Sequence, residues 1–235
     1  MAGIGELNEG PLHAALKAWY AQPGDQVEVP VESYHVDLVR GDQLIEIQTA
    51  SFSSCARKLR DLVERHRIRV VHPIPRERTI VRLPENGRGP AKRRRSAKHF
   101  GYEQVFEELV SFPELIAHEN FELELVATRE DEIRKWAKRP RRHKFQWVVA
   151  ERRLVSVLAM RLVTRPADLL ELLPRDLPED FDTAELASAW QKPRAFAQQV
   201  TYCLRKAGAL TDVGRRGNAR VYSTAPRQVE VGHAG

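Results

Sequence analysis

The strongest constraint on how this chain folds is a two-residue turn, Gly41-Asp42, set between two runs of alternating apolar and polar residues, Tyr34–Arg40 and Gln43–Ala50. A Gly-Asp pair between such runs is a hairpin signal. A third strand-like run, Val27–Val31, precedes them. A helix is predicted upstream over 8–21, with Asn8 as its cap, Pro11 in its first turn, and Leu12, Ala15, Leu16 and Trp19 as its apolar stripe. Downstream, 52–66 reads as a second helix and the β-branched run Ile68–Ile74 as a buried strand closed by Pro73 and Pro75. The element order is α-β-β-β-α-β.

On the hairpin, strand periodicity puts Glu46 and Gln48 on one face and Ile45 and Ile47 on the other. Asp37 lies on the neighbouring strand, with Val36 and Leu38 pointing away from it. Two carboxylates that converge across paired strands repel unless a cation sits between them. Mg2+, or Mn2+, suits two carboxylates completed by water, and can activate a water nucleophile beside a phosphoryl oxygen. Glu9, spaced to lie with Leu12 and Leu16, is a candidate third acid. The same alternation also fits a plain solvated sheet face bearing Asp37, Glu46 and Gln48. His13 and His35 lie close enough in sequence to approach the acids, but surface or core roles are the simpler expectation.

The order α-β-β-β-α-β with Glu9, Asp37 and Glu46-x-Gln48 resembles the restriction-endonuclease-like PD-(D/E)xK nuclease superfamily, over residues 8–75. The resemblance implies an α/β fold with a mixed-sheet core and flanking helices. It implies that Asp37 and Glu46 bind the metal, that Glu9 assists, and that Gln48 stands where the family carries a lysine that orients the water. An ExQ variant is similar to what some members carry. Gln48 can position a water or a phosphate oxygen but brings no charge. Lys58, on the next helix, could supply the missing ammonium.

Further along, Thr79–Leu83 reads as a strand, 84–99 as a polar loop, 102–117 as helix and Phe121–Thr128 as strand. A basic connector is expected over 134–146 and a helix over 147–163. The expected partition is a nuclease-like domain over 1–133, that connector, a helical and winged-helix domain over 147–225, and a disordered tail over 226–235. Within the last domain, Asp182–Trp190 and Arg194–Ala207 are helices broken at Lys192-Pro193. Asp182 or Thr183 caps the first, and Gly208 ends the second. A basic hairpin, Gly214–Asn218, joins two strands. This segment resembles the winged helix-turn-helix family, which implies that Arg194, Gln198, Gln199, Thr201 and Arg205 reach base edges and that Arg215 and Arg216 contact phosphates. A winged helix used only for protein contacts is the other reading.

The net charge of +6 gains meaning from its placement. Lys92-Arg93-Arg94-Arg95 and the acid-free stretch 134–144, with Arg141 and Arg142, read as phosphate-tracking runs or as solvated loops. Trp136, Phe145 and Trp147 flank the second run and fit base stacking or core packing. The two cysteines, Cys55 and Cys203, form no CxxC pair, which excludes a zinc knuckle. P-loop and Gly-x-Ser-x-Gly motifs are absent. No leader or membrane-length apolar run is read, so a reduced, cytoplasmic protein is expected. The functional expectation is a metal-dependent DNA endonuclease guided by a winged helix. The rivals are a non-catalytic DNA-binding regulator on a degenerate nuclease fold and an RNA-directed nuclease. Either form could be a homodimer.

Overall fold

The structure, a computed structural model, describes residues 10–98, 100–138 and 145–224. Its elements are α1 (Pro11–Tyr20), β1 (Gln26–Val31), β2 (Tyr34–Arg40), β3 (Gln43–Ile47), α2 (Ala56–Val63), β4 (Arg67–Arg82), β5 (Lys92–Arg95), α3 (Phe106–Leu109), β6 (Phe121–Lys138), β7 (Phe145–Val163), α4 (Pro166–Leu170), β8 (Asp180–Phe181), α5 (Thr183–Trp190), α6 (Arg194–Lys206), β9 (Thr211–Arg216) and β10 (Ala219–Ser223). The protein is a mixed α/β fold built on one large mixed sheet ordered β1-β2-β3-β4-β6-β7, with β5 on the free side of β4. Strands β3, β4 and β6 run parallel, and their neighbours are antiparallel. No helix among the described residues is long and apolar enough to cross a membrane.

Both faces of the sheet are covered. On one, Leu12, Leu16 and Tyr20 of α1 pack on Leu38, Ile45, Ile47, Val71 and Val126. On the other, Leu59, Leu62 and Val63 of α2 pack on Val36, Leu44, Val70 and Leu123, and this core continues into Phe196, Val200 and Leu204 of α6. The stripe of α1 therefore runs Leu12-Leu16-Tyr20, and Trp19 is 47% exposed. The helix begins at Pro11 behind Gly10. Asn8 and Glu9 lie outside the described residues.

Several expectations about secondary structure are corrected. The run over 68–83 is one strand of 16 residues with Pro73 and Pro75 inside it. In a strand, the N–H and C=O of one residue point to the same side. Val71 accepts from Gln48 on the β3 side, so Pro73 and Pro75 also point that way. The β3–β4 ladder ends at Ile47↔Val71 and β5 begins only opposite Thr79, so no ladder bond is lost to either proline.

The second correction is the helix expected over 147–163, which is the edge strand β7. Its ladder with β6 skips Ala150, Val155 and Leu158. Each skip is a bulge that flips the inward face, so period-two alternation breaks three times and mimics helical spacing. The bulges also explain why Val155 and Leu158 are exposed, and they twist a long edge strand away from flat pairing with another chain.

Third, Arg134–Lys138, expected in a connector, belong to β6. Arg139–Lys144, with Arg141 and Arg142, lie outside the described residues. Within the expected loop 84–99, Lys92–Arg95 form β5. Only Phe106–Leu109 of the helix expected over 102–117 is α-helical, flanked by 3-10 turns, the second opening at Pro113.

Near the C-terminus, α5 and α6 pack against a three-stranded sheet ordered β8-β10-β9. Asp182 caps α5 by accepting from the Ala184 and Glu185 N–H groups, and the Glu185 carboxylate accepts in turn from the Asp182 N–H. Gly208, at φ 82, ends α6 in the left-handed conformation that a side chain resists. Residues 225–235, including the expected tail, lie outside the described residues.

The fully buried Leu16 is what holds α1 to the sheet. Leu16→Ala should lower unfolding free energy by about 2–5 kcal/mol, whereas Trp19→Ala should change it by less than about 1 kcal/mol. Urea denaturation of both variants checks this. Equal losses would contradict the observed stripe.

Candidate functional site: a strand fork with two acids

The β2–β3 ladder stops at Leu38↔Ile45. The next pair would be Asp37 and Glu46, but the strands part there. The Asp37 carboxylate fills the gap, its Oδ2 accepting from the Ile47 N–H at 2.7 Å. On its other side Asp37 is also skipped, because the β1–β2 ladder passes from Val27↔Leu38 to Val29↔Val36. The residue opposite, Glu28, has φ 55, and its carboxylate pairs with Lys17 of α1 at 2.6 Å. A left-handed glutamate is a costly conformation of the kind that clusters at functional sites. The twist at Asp37 sends Val36 and Leu38 into different cores, so they do not share the face expected of residues two apart.

The fork gathers side chains from both helices. His13 of α1 places Nε2 3.2 Å from Asp37 Oδ2. Lys58 of α2 places Nζ 2.6 Å from Glu46 Oε2 and also donates to the His35 carbonyl. These contacts use Oδ2 of Asp37 and Oε2 of Glu46, leaving Oδ1 and Oε1 outside them. Thus the structure brings together Asp37, Glu46 and Lys58, and adds His13. Glu9 lies outside the described residues. His13 stands three positions before the buried Leu16 on α1, and that spacing is the signal that could have singled it out.

Gln48 is near the fork but differently engaged. Its side-chain amide donates to the Ser51 carbonyl at 2.7 Å and the Ser54 hydroxyl at 3.0 Å. Its own carbonyl faces His72 Nδ1 at 2.8 Å. The amide therefore fixes the 51–54 turn that leads into α2, and so positions Lys58, and its N–H groups are not free to hold a water.

Electrostatics separate the two acids. Burial pushes the Asp37 carboxyl up, but hydrogen bonding and charge from His13, the Ile47 N–H and Lys58 together hold it below its ordinary value. For Glu46 burial dominates: Lys58 only partly offsets it, the Asp37 charge adds to it, and the carboxyl lies above its usual range. Burial, with a contribution from Glu46, pushes the Cys55 thiol up to about 12, which makes it a packing residue rather than a nucleophile. Burial also pushes His72 down. Among the described residues no group of three or more His, Cys, Asp or Glu is arranged to hold a metal. Asp37 and Glu46 are the residues of the fork whose hard oxygen donors could hold a divalent ion.

The expected nucleic-acid contacts divide in two. On α6, Arg194, Gln198, Gln199 and Arg205 are exposed, and Arg194, Gln198 and Arg205 line, with Tyr202 and Arg220, a hollow of about 260 Å³ between that helix and the β9–β10 hairpin. Thr201 is buried and bonds to the Gln198 carbonyl, so it does not project as expected. Arg215 is exposed at the hairpin, while Arg216 pairs with Glu185 at 2.7 Å. On β5, Arg93 pairs with Asp131 and Arg95 with Glu77, whereas Arg94 has no ion pair among the described residues.

The fold and fork define a mixed α/β protein with two acids and a lysine at a parting of strands. The chain belongs to the family described as a domain of unknown function, DUF8091, whose match covers residues 10–164, from the start of α1 to the end of β7. It is similar to an uncharacterized protein of Treponema pallidum (strain Nichols), 26% identical over 224 residues that cover 95% of this chain and 88% of that one. No solved structure matches it.

Neutral His72 is a pH-dependent element of this region. Its folded value is depressed, so its contribution is complete above the unfolded value near 6.5 and is lost as pH falls through and below it. Unfolding free energy should therefore drop on acidification with a slope approaching about 1.4 kcal/mol per pH unit from this group. His72→Gln should remove that component. Chemical denaturation between neutral and mildly acidic pH measures it, and identical slopes would refute it.

Proposed function

We propose that this protein is a Mg2+- or Mn2+-dependent DNA endonuclease with a restriction-endonuclease-like core and a C-terminal winged helix. The observation that carries the reading is the fork, where Asp37 and Glu46 meet beside the Lys58 ammonium at the parting of β2 and β3. The order α1-β1-β2-β3-α2-β4 supports the core assignment. The run β8-α5-α6-β9-β10, with cations and glutamines exposed on α6, supports the winged helix.

In this reading Asp37 and Glu46 would hold the ion. A bound divalent ion supplies water activation and charge neutralisation on the phosphoryl oxygen. Lys58 takes the role that the resemblance assigns to the strand lysine, orienting the attacking water beside Glu46. Gln48 acts through the turn that sets Lys58. His13 orients the Asp37 carboxylate. Arg194, Gln198, Gln199 and Arg205 approach base edges, and Arg215 approaches phosphate.

A second reading, a DNA-binding regulator without catalysis, draws on one observation: Gln48 stands in the lysine position with its amide already engaged.

Incubation of the full chain with plasmid, linear and branched DNA in Mg2+ or Mn2+ decides between them. Cutting is expected, with Asp37→Ala and Glu46→Ala lowering the rate by at least ~100-fold and Lys58→Met by ~100–1,000-fold. Binding without cutting in any metal would favour the regulator. Cutting retained in all three variants would refute the site.

A further inference from the structure

Where β3 ends, β4 continues for eleven residues, His72–Arg82, and β6 and β7 continue beside it. The two faces of this extension differ in charge. Residues paired across strands share a face, so the register fixes the assignment.

One face carries Arg93, Arg95, Arg129 and Arg153, and these are compensated: Arg93 by Asp131, Arg95 and Arg129 by Glu77, Arg153 by Glu151. Its Lys135 has no ion pair among the described residues. The other face continues the one that α1 covers. There Lys92 stands opposite Arg82 and Arg94 opposite Ile80 on β4, Arg82 stands opposite Arg134 on β6, and Arg152 of β7 stands opposite Glu132. Glu132 is engaged by Arg78 and Arg134. Lys92, Arg82, Arg94 and Arg152 have no ion pair among the described residues. Arg82 instead lies over the Trp147 ring, 5.0 Å from its centroid, and Trp147 packs edge-on against Trp136.

These four cations stand in two neighbouring rows across the sheet, Arg94 and Arg152 level with Ile80 and Lys92 and Arg82 level with Arg134, at the end of the extension away from the fork. We infer that the far end of this face of the β4–β5–β6–β7 extension is a second DNA-binding surface, which holds the phosphate backbone of a duplex at a distance from the fork. Lys92, Arg82, Arg94 and Arg152, with Arg78 and Arg134, outnumber Glu130 and Glu132, the acids that share this face, and cations so gathered repel one another unless a polyanion such as the phosphate backbone neutralises them. The inference rests on the proposed DNA substrate and is independent of cutting.

The test is binding of the full chain, with metal removed by EDTA, to a fluorescein-labelled duplex of about 30 base pairs, followed by anisotropy over a salt series. The variant Lys92→Gln/Arg94→Gln/Arg152→Gln removes three exposed cations from the proposed face. Arg93→Gln/Arg95→Gln/Arg153→Gln removes three exposed cations from the compensated face. Each phosphate contact contributes about 0.9 to the slope of log K against log salt. The first triple should lower that slope by about 2–3 and the second by less than about 1, with thermal melting confirming that both fold. The single variant Arg94→Gln should lower it by about 1. Unchanged slopes, or equal losses in the two triples, would overturn the proposal. So would an RNA duplex that binds more tightly than DNA and shows the larger effect, which would assign the face to RNA. Asp37-dependent cutting alongside unchanged slopes would remove this surface and leave the nuclease reading intact.

Discussion

The bond from the Ile47 N–H to the Asp37 carboxylate is the constraint on which the site depends. A backbone donor left by a parting strand costs free energy unless something accepts from it. Here a side chain takes the place of the missing carbonyl. The same carboxylate oxygen meets His13, so one residue both closes the sheet at the fork and anchors α1 to it. Because Asp37 is skipped by β1 as well, its position is set by these side-chain contacts and not by a ladder.

The Lys58–Glu46 pair has a different meaning. Both groups are largely withdrawn from water, and the glutamate stays harder to ionise than usual despite the ammonium. Two apolar side chains would stabilise such a spot as well or better. Removing one partner alone would cost about 3–5 kcal/mol, because the other charge would remain buried. This pair, placed beside a second acid at a break in the sheet, is the arrangement on which the proposed ion site rests. The 51–54 turn, fixed by Gln48, and the packing of Leu59, Leu62 and Val63 of α2 keep the lysine there.

Much of this was legible in the sequence, and the rest was hidden for identifiable reasons. The Gly41-Asp42 hairpin, with Gly41 at φ 59, and the order of the first six elements follow from alternation and turn chemistry. So do α5 and α6, from Asp182, Lys192-Pro193 and Gly208. The strand β7 was obscured by its three bulges, each of which reversed the alternation. Pro73 and Pro75 suggested an end to β4 because nothing local indicates that β3 stops at Ile47 and frees that side. Asp37, Glu46 and Lys58 could be named from spacing. His13 could be weighed but not placed, and the engagement of the Gln48 amide by Ser51 and Ser54 depends on a turn that spacing does not describe.

The central claim is that Asp37 and Glu46 share one divalent ion. Isothermal titration of Mn2+ into the full chain near neutral pH, beside Asp37→Asn and Glu46→Gln, tests it most directly. The account predicts a single site per chain in the wild-type protein, lost or weakened at least ~10-fold in each variant. No saturable binding, or binding left intact when either carboxylate is neutralised, would contradict it.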